Sequence, residues 1–443
     1  MEQTFDPSVY LSAKFNEFEH DLEGNSHSVL DHKRKVAFVD FQKLGFPSLK
    51  NEEWKYTNVT SIFKNGFTLA SNPVNKPLQT YQEYIIDGTE SANHLFFING
   101  IYDASASKIV SPANEVTIKP FYEAVAGEEH TKIAMYFGCS SIHSPDGIHA
   151  LNTAFANNGL YIEVKANKIV SEAIYLHFIG DSTLANTLSL PRNLFFLNEK
   201  CQVKIIEDFV SKGEFTSLTN IVSEVIVEDN ALLEYYKIQQ EKSNANHVGT
   251  THILQTGKSV AHAVTISLSG GVIRNNLHLV IDAPYAESNM SGLYLLDDET
   301  HVDNHTVADH RKPNGSSNEL YKGILDGYST GVFNGKIFVQ KDAQKTNAYQ
   351  SNKNILLSNN ATINTKPQLE IFADDVKCSH GCTTGQLDQE ALFYLRSRGI
   401  SERTAKAMLT KAYVQDILNT IKIPALRNYL EGLIEKRFED SIQ

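Results

Sequence analysis

The sequence predicts a mainly β chain with helical regions at both ends, and three observations carry that prediction. From roughly Tyr84 to Ala373 the chain consists of short β-branched and aromatic runs separated by Asn, Asp and Gly. Turns recur as a polar pair followed by alanine, at Asp229-Asn230-Ala231, Lys341-Asp342-Ala343 and Asn359-Asn360-Ala361. On either side of this body, from about Pro7 to Leu44 and again after Gly385, the apolar residues fall at helical spacing instead.

Taken in order, the first segment places Tyr10, Phe15 and Phe18 among charged residues, and a second carries Val29, Leu30, Val36, Phe38 and Phe41 before Pro47 ends it. The only tryptophan, in Glu52-Glu53-Trp54-Lys55-Tyr56-Thr57, reads as an anchor packing this helical cap onto the next part of the chain. Val203 to Ile206, Val222 to Val227, Leu277 to Ile281, Gly335 to Val339 and Ile355 to Leu357 read as strands. The last two polar-pair turns lie 18 residues apart, which suits successive coils of a β-solenoid, although no steady period runs from 231 to 343. Beyond Gly385, Glu390 to Ser397 reads as a helix closed by Gly399. Ser401 then caps a helix with Ala405, Met408, Leu409 and Ala412 on one face. Pro424 opens a last helix striped by Leu426, Leu430, Leu433 and Ile434.

Composition excludes several functions. At 443 residues the chain exceeds one ordinary core, so two or three regions are expected. A net charge of −12 with no basic block disfavours nucleic-acid binding. The acidic start Met1-Glu2-Gln3-Thr4-Phe5-Asp6 does not read as a secretory signal, and no apolar run reaches the ~18 residues of a membrane span. Four cysteines in so long a chain point to free thiols in a reducing cytoplasm.

Two of those cysteines and a histidine gather in Ala373-Asp374-Asp375-Val376-Lys377-Cys378-Ser379-His380-Gly381-Cys382. On a strand, Val376, Cys378, His380 and Cys382 share one face. On a helix, Cys378 and Cys382 still meet but His380 points away. The alternation of Leu369, Ile371 and Ala373 with the turn-forming Asp374-Asp375 after it favours the strand. Two thiols and an imidazole on one face are soft and borderline metal ligands. Against this, a free cysteine is ordinarily a small buried hydrophobe, and C-x-H-x-C matches no zinc spacing. Cys139 and Cys201 stand alone, so a four-ligand site is incomplete within the motif and needs a partner's ligands. His301, Asp303 and His305, with Asp309-His310 next, alternate as candidate ligands, but their polar, turn-rich setting favours a solvated loop. Thr256-Gly257-Lys258-Ser259 lacks the earlier glycine of a phosphate loop, having His252 there, and Gly331-Val332-Phe333-Asn334-Gly335-Lys336-Ile337 lacks its spacing and its Ser or Thr. No G-x-S-x-G is present, so nucleophilic hydrolysis has no specific support.

Longer motifs carry a family resemblance. Gly331 through Ile337, Ala343-Gln344-Lys345-Thr346, Asn354-Ile355-Leu356-Leu357-Ser358, Thr365-Lys366-Pro367-Gln368-Leu369-Glu370-Ile371 and Phe393-Tyr394-Leu395-Arg396-Ser397-Arg398-Gly399 resemble the core family of the SUF iron–sulfur assembly system. Glu53 through Thr57, Arg274-Asn275 and His310 extend the likeness over nearly the whole chain. The resemblance implies a right-handed parallel β-helix over 61–385 between helical regions 1–60 and 386–443. Within the family, Lys377-Cys378-Ser379-His380-Gly381 resembles the D-type scaffold, whereas the B-type carries Glu-His-Glu at the equivalent of 378 to 380. At 382 the pattern has a small residue such as Ala where this chain has cysteine.

What the resemblance implies is a non-enzymatic subunit that pairs with a SufB-type scaffold and docks a SufC-type ABC ATPase on its C-terminal helices. A homodimer is left open. A nascent iron–sulfur cluster is then held transiently between subunits, with none held stably by the isolated chain. His380 is its foremost interfacial ligand, Cys378 the second and Cys382 the third. The other readings weighed are the SufB-type scaffold itself and a β-helical polysaccharide lyase. A lyase uses Asp clusters with calcium and an Arg base and is commonly exported.

Overall fold

Two parallel sheets face each other along a solenoid of about 8 turns, each turn giving one strand to each sheet. The structure is a computed structural model describing residues 6–22, 28–70 and 75–440. The first sheet stacks Leu160–Val164, Arg192–Leu197, Ser217–Val227, Ala245–Gln255, Val272–Ile281, His301–His310, Thr330–Val339 and Thr362–Ile371. The second stacks Asn93–Ile98, Ile174–Ser182, Gln202–Gly213, Leu232–Gln240, Val260–Ser269, Glu287–Leu296, Ser316–Leu325, Asn347–Leu356 and Lys377–Gly385. At the N-terminal end Ile101–Lys108 pairs antiparallel with Asn93–Ile98, and Val116–Pro120 with Leu160–Val164, closing the two sheets. At the other end Thr362–Ile371 and Lys377–Gly385 each keep one edge without a strand partner among the described residues.

All five strands read from β-branched runs lie in the solenoid, but its period differs from the expected one. Register partners lie 28 residues apart at Ser217 and Ala245 and 32 apart at Thr330 and Thr362. The turns at 343 and 361 are therefore successive corners of one coil, one after each sheet's strand, and not successive coils. The corners explain the polar-pair-alanine pattern. At the first of them Asn230 adopts φ of +56°, a left-handed geometry that short polar residues tolerate well. Ala231, Ala343 and Ala361 turn into the core, where a corner has room for little more than a methyl group.

Between the sheets runs an apolar core that includes Phe195, Ile205, Val225, Ile253, Leu279 and Ile337. The outer faces are covered by helices. Pro7–Leu22, Ser28–Leu44 and Gly147–Ala154 lay Leu11, Phe15, Phe41, Ile148 and Leu151 over Leu188, Leu218 and Val248 of the first sheet. Trp54 is buried in the same cluster, with the Arg274 guanidinium 4.4 Å above its ring, as expected of an anchor. Val36 is exposed rather than part of the stripe, and the side chain of Val29 lies outside those described.

On the second sheet, Glu402–Leu418 and Pro424–Asp440 cover Tyr236, Ile238, Val264, Ile266, Leu293 and Leu295. They do so with Val414, Ile417, Leu418, Leu426, Leu430 and Ile434. Each such side chain removed from water is worth about 1.5–3 kcal/mol. The face of the first of these helices is rotated from the expected one. Ala405 is buried, but Met408 and Ala412 face water, because the helix turns toward the sheet through Thr410, Val414 and Ile417. Among the described residues no helix is long and apolar enough to cross a membrane.

Candidate functional site

The bend at Asp374-Asp375 delivers the chain to its last strand. Asp375 N–H donates to Gln344 Oε1 at 2.9 Å and Asp375 C=O accepts from Lys345 N–H, which pins the corner to the coil below. Lys377–Gly385 then runs parallel to Asn347–Leu356, with Cys378 opposite Ala348, His380 opposite Gln350 and Cys382 opposite Asn352. Ala348, Gln350 and Asn352 are buried, so the alternating trio lies on the solenoid-facing side of the strand. The strand reading of the motif holds and the helical one does not.

Among the described residues no further coil covers this strand, and that decides the exposure of each candidate. Cys378 is half-buried and packs against the core cluster. Burial pushes its thiol up, opposed by a hydrogen bond from the Ala348 backbone. His380 and Cys382 are exposed. His380 has no hydrogen-bond or ion-pair partner among the described residues. Same-face positions on a strand are about 7 Å apart, so three in a row cannot converge on one metal ion. Accordingly, among the described residues no three His, Cys, Asp or Glu side chains are placed to hold a metal. The row is a set of donors open to a facing surface.

Beside the row lies a groove of 880 Å³ lined by Ser379, His380, Gly381, Gln350 and Glu319, and by Asp416 and Lys422 near the end of the covering helix. Lys322 ties that helix down, reaching Asp416 at 2.7 Å and the Tyr413 carbonyl at 2.6 Å. Glu319 and Gln350 are buried and hydrogen-bonded to each other at 2.8 Å. Burial pushes the Glu319 carboxyl up to about 7, against the hydrogen bond from Gln350. Neither residue stood out in the sequence, because a polar residue in an alternating strand reads as outward until the register is known.

The remaining cysteines do not join the row. Cys201 lies in the core next to Gln202–Gly213, six strands from Lys377–Gly385 and hence about 29 Å along the stack. Burial pushes its thiol up to about 12. Cys139 lies against the helical cover of the first sheet, and burial, with the neighbouring Glu224 carboxylate second, pushes its thiol up strongly.

The second candidate group is corrected. His301, Asp303, His305, Asp309 and His310 form a buried or half-buried strand, not a solvated loop. Their polarity is consumed in docking the N-terminal region. Asp303 accepts from Arg274 at 2.6 Å and from Thr57 at 2.5 Å, while His305 lies 3.3 Å from Glu53. Burial opposes ionisation of Asp303, yet Arg274 and His305 hold its carboxyl well below the usual range. The hydrogen bond to His305 draws Glu53 down to about 2, with Lys336 adding to it against burial. His310 faces the interior, its Nε2 2.8 Å from Ser317 Oγ. The failed phosphate loops are equally structural. Gly257 sits in a corner where a Cβ would strike the Asp229 backbone, so its glycine serves coil stacking.

Known proteins match this architecture over nearly its whole length. The SUF system FeS cluster assembly SufBD core domain is matched by residues 178–413, and the SufBD protein N-terminal region by residues 8–176. An iron–sulfur cluster assembly SufBD family protein of Synechocystis is 29% identical, over 94% of this chain and 93% of its own. The iron–sulfur cluster assembly protein SufD of Escherichia coli is 27% identical over 89% and 90%, and the chloroplastic protein ABCI7 of Arabidopsis thaliana 29% over 97% and 91%. With a core match covering more than half of its length and an N-terminal match adjoining it, this chain belongs to the SufBD family of SUF-system iron–sulfur cluster assembly proteins.

Proposed function

We propose that the chain is a non-catalytic, D-type scaffold subunit. Its open C-terminal end pairs with a SufB-type scaffold, and a nascent iron–sulfur cluster is built as cargo across that interface and then released. The observation that carries the reading is the row Cys378, His380 and Cys382 on a terminal strand with a free edge. Clusters commonly need four ligands, and a donor row spaced too widely to close on itself suits a cargo that neither chain may cage. His380 is the principal ligand, since its imidazole is exposed and unengaged among the described residues. Cys378 is second because burial disfavours its thiolate, and Cys382 contributes least. A SufC-type ABC ATPase docks on the C-terminal helical region, where Phe393, Tyr394 and Met408 are exposed. The cytoplasm, where thiols stay reduced, suits a chain with four free cysteines.

Anaerobic reconstitution of the lone chain and of its complex with the SufB-type scaffold, with desalting and then counts of iron and sulfide, tests this. The complex should retain a cluster that is lost with His380→Ala and kept with Cys382→Ala. Retention by the lone chain, lost only when Cys139 or Cys201 is replaced, overturns the shared site.

A further inference from the structure

Along the second sheet the inward-facing residues change character toward the mouth. Upstream they include Leu233, Ala261 and Ala263, whereas the last coils stack Met290, Glu319, Gln350 and His380 in register. Glu319 and Gln350 are only 4% and 3% exposed, and Gln350 Nε2 donates to Glu319 Oε2 at 2.8 Å. The opposite sheet is shaped around this amide, since a Cβ on Gly335 would collide with it. The next inward residues, Asn352 and Asn354, are engaged with Tyr294 and with each other. Gln350 Oε1 is different, being buried without a partner among the described residues. A buried acceptor left unpaired is unfavourable, so the site has a place for a donor.

The donor at hand is His380. When ionised, Glu319 only accepts, so it turns the NH2 of Gln350 toward itself and fixes which way the amide faces. His380, the register partner of Gln350, lies on the next strand about 4.8 Å along the column. We propose that Gln350, oriented by Glu319, is a positioning residue for His380: its Oε1 accepts the N–H of one imidazole nitrogen and leaves the other nitrogen's lone pair aimed out of the mouth at a metal. The proposal rests on the reading of His380 as a cluster ligand. Metal-bound imidazoles almost always give their second N–H to such an acceptor, and losing it typically costs about 10- to 100-fold in metal affinity.

Cobalt(II) titration of the full-length chain in its complex with the SufB-type scaffold under anaerobic conditions, read by its visible absorption, measures affinity. Imidazole 15N shifts of His380 report which nitrogen carries the proton. Gln350→Met should weaken cobalt binding about tenfold and mix the two tautomers. The exchange E319Q/Q350E, which keeps an acceptor beside His380 and a donor behind it, should restore both. If His380→Ala weakens cobalt binding while Gln350→Met changes neither affinity nor tautomer, the positioning role is overturned and the ligand reading stands. A lowered melting temperature as the sole effect of Gln350→Met likewise overturns the positioning role alone. Cobalt affinity unchanged by His380→Ala overturns the ligand reading and the positioning role with it. Should Gln350→Met fail to fold, Glu319→Gln alone keeps the shape, releases the amide's orientation and is expected to mix the tautomers.

Discussion

Burial holds the Glu319 carboxyl near a value of about 7, well above the ordinary 4.5 for glutamate, and this makes stability depend on pH in a definite direction. A carboxyl raised in the folded state binds its proton more tightly there than in the unfolded chain. Its contribution is therefore complete below about pH 4.5 and is lost as pH rises through about 7. The full swing is about 3 kcal/mol at ~1.4 kcal/mol per pKa unit. Glu319→Gln should flatten this part of the stability profile between about pH 5 and 8, measured by urea unfolding at a series of pH values. An unchanged slope would show that Glu319 is ionised throughout, with water or a cation beside its unpartnered Oε1.

The C-terminal helices have two faces with different consequences. Leu426, Leu430 and Ile434 close over Ile238, Ile266 and Leu295, so removing everything after Ser397 would uncover the second sheet as well as any docking surface. Truncation there confuses folding with binding. Single substitutions separate them. Leu430→Ala should destabilise the chain by about 2–5 kcal/mol, the usual cost of a buried Leu cavity. Phe393, 74% exposed on Gln389–Ser397, carries no such load, and Phe393→Ser should leave the melting temperature unchanged while weakening co-purification of the ATPase. Stoichiometric ATPase recovery with that variant would move the dock elsewhere.

For the whole molecule the asymmetry of the two ends matters most. Antiparallel strands close the N-terminal end, whereas the C-terminal end offers two unpaired strand edges and an inner lining of polar residues. In stacked repeats each coil is supported by its neighbours, and the last has only one. Backbone amides of Lys377–Gly385 should therefore exchange with deuterium faster than those of Val272–Ile281 in the lone chain, and slow markedly in the complex with the SufB-type scaffold. Equal protection of both strands in the lone chain would mean that the mouth is already closed, leaving no room for a shared cluster.

The sequence by itself determined what local chemistry dictates: helices at both ends, strands where β-branched runs lie, corners where a polar pair precedes alanine, and a strand bearing Cys378, His380 and Cys382 on one side. Its long motifs also resembled the right family, which the matches over 8–176 and 178–413 then showed. Tertiary structure decided what depends on register. A coil of 26 to 33 residues exceeds the span over which side-chain alternation can be counted, so the 343 and 361 turns passed for neighbouring coils. The inward placement of Glu319 and Gln350 was invisible for the same reason. The polar run from His301 to His310 resembled a loop because its partners, Glu53, Thr57 and Arg274, lie far away along the chain. Burial of charge is legible only once the compensating charge has been folded against it.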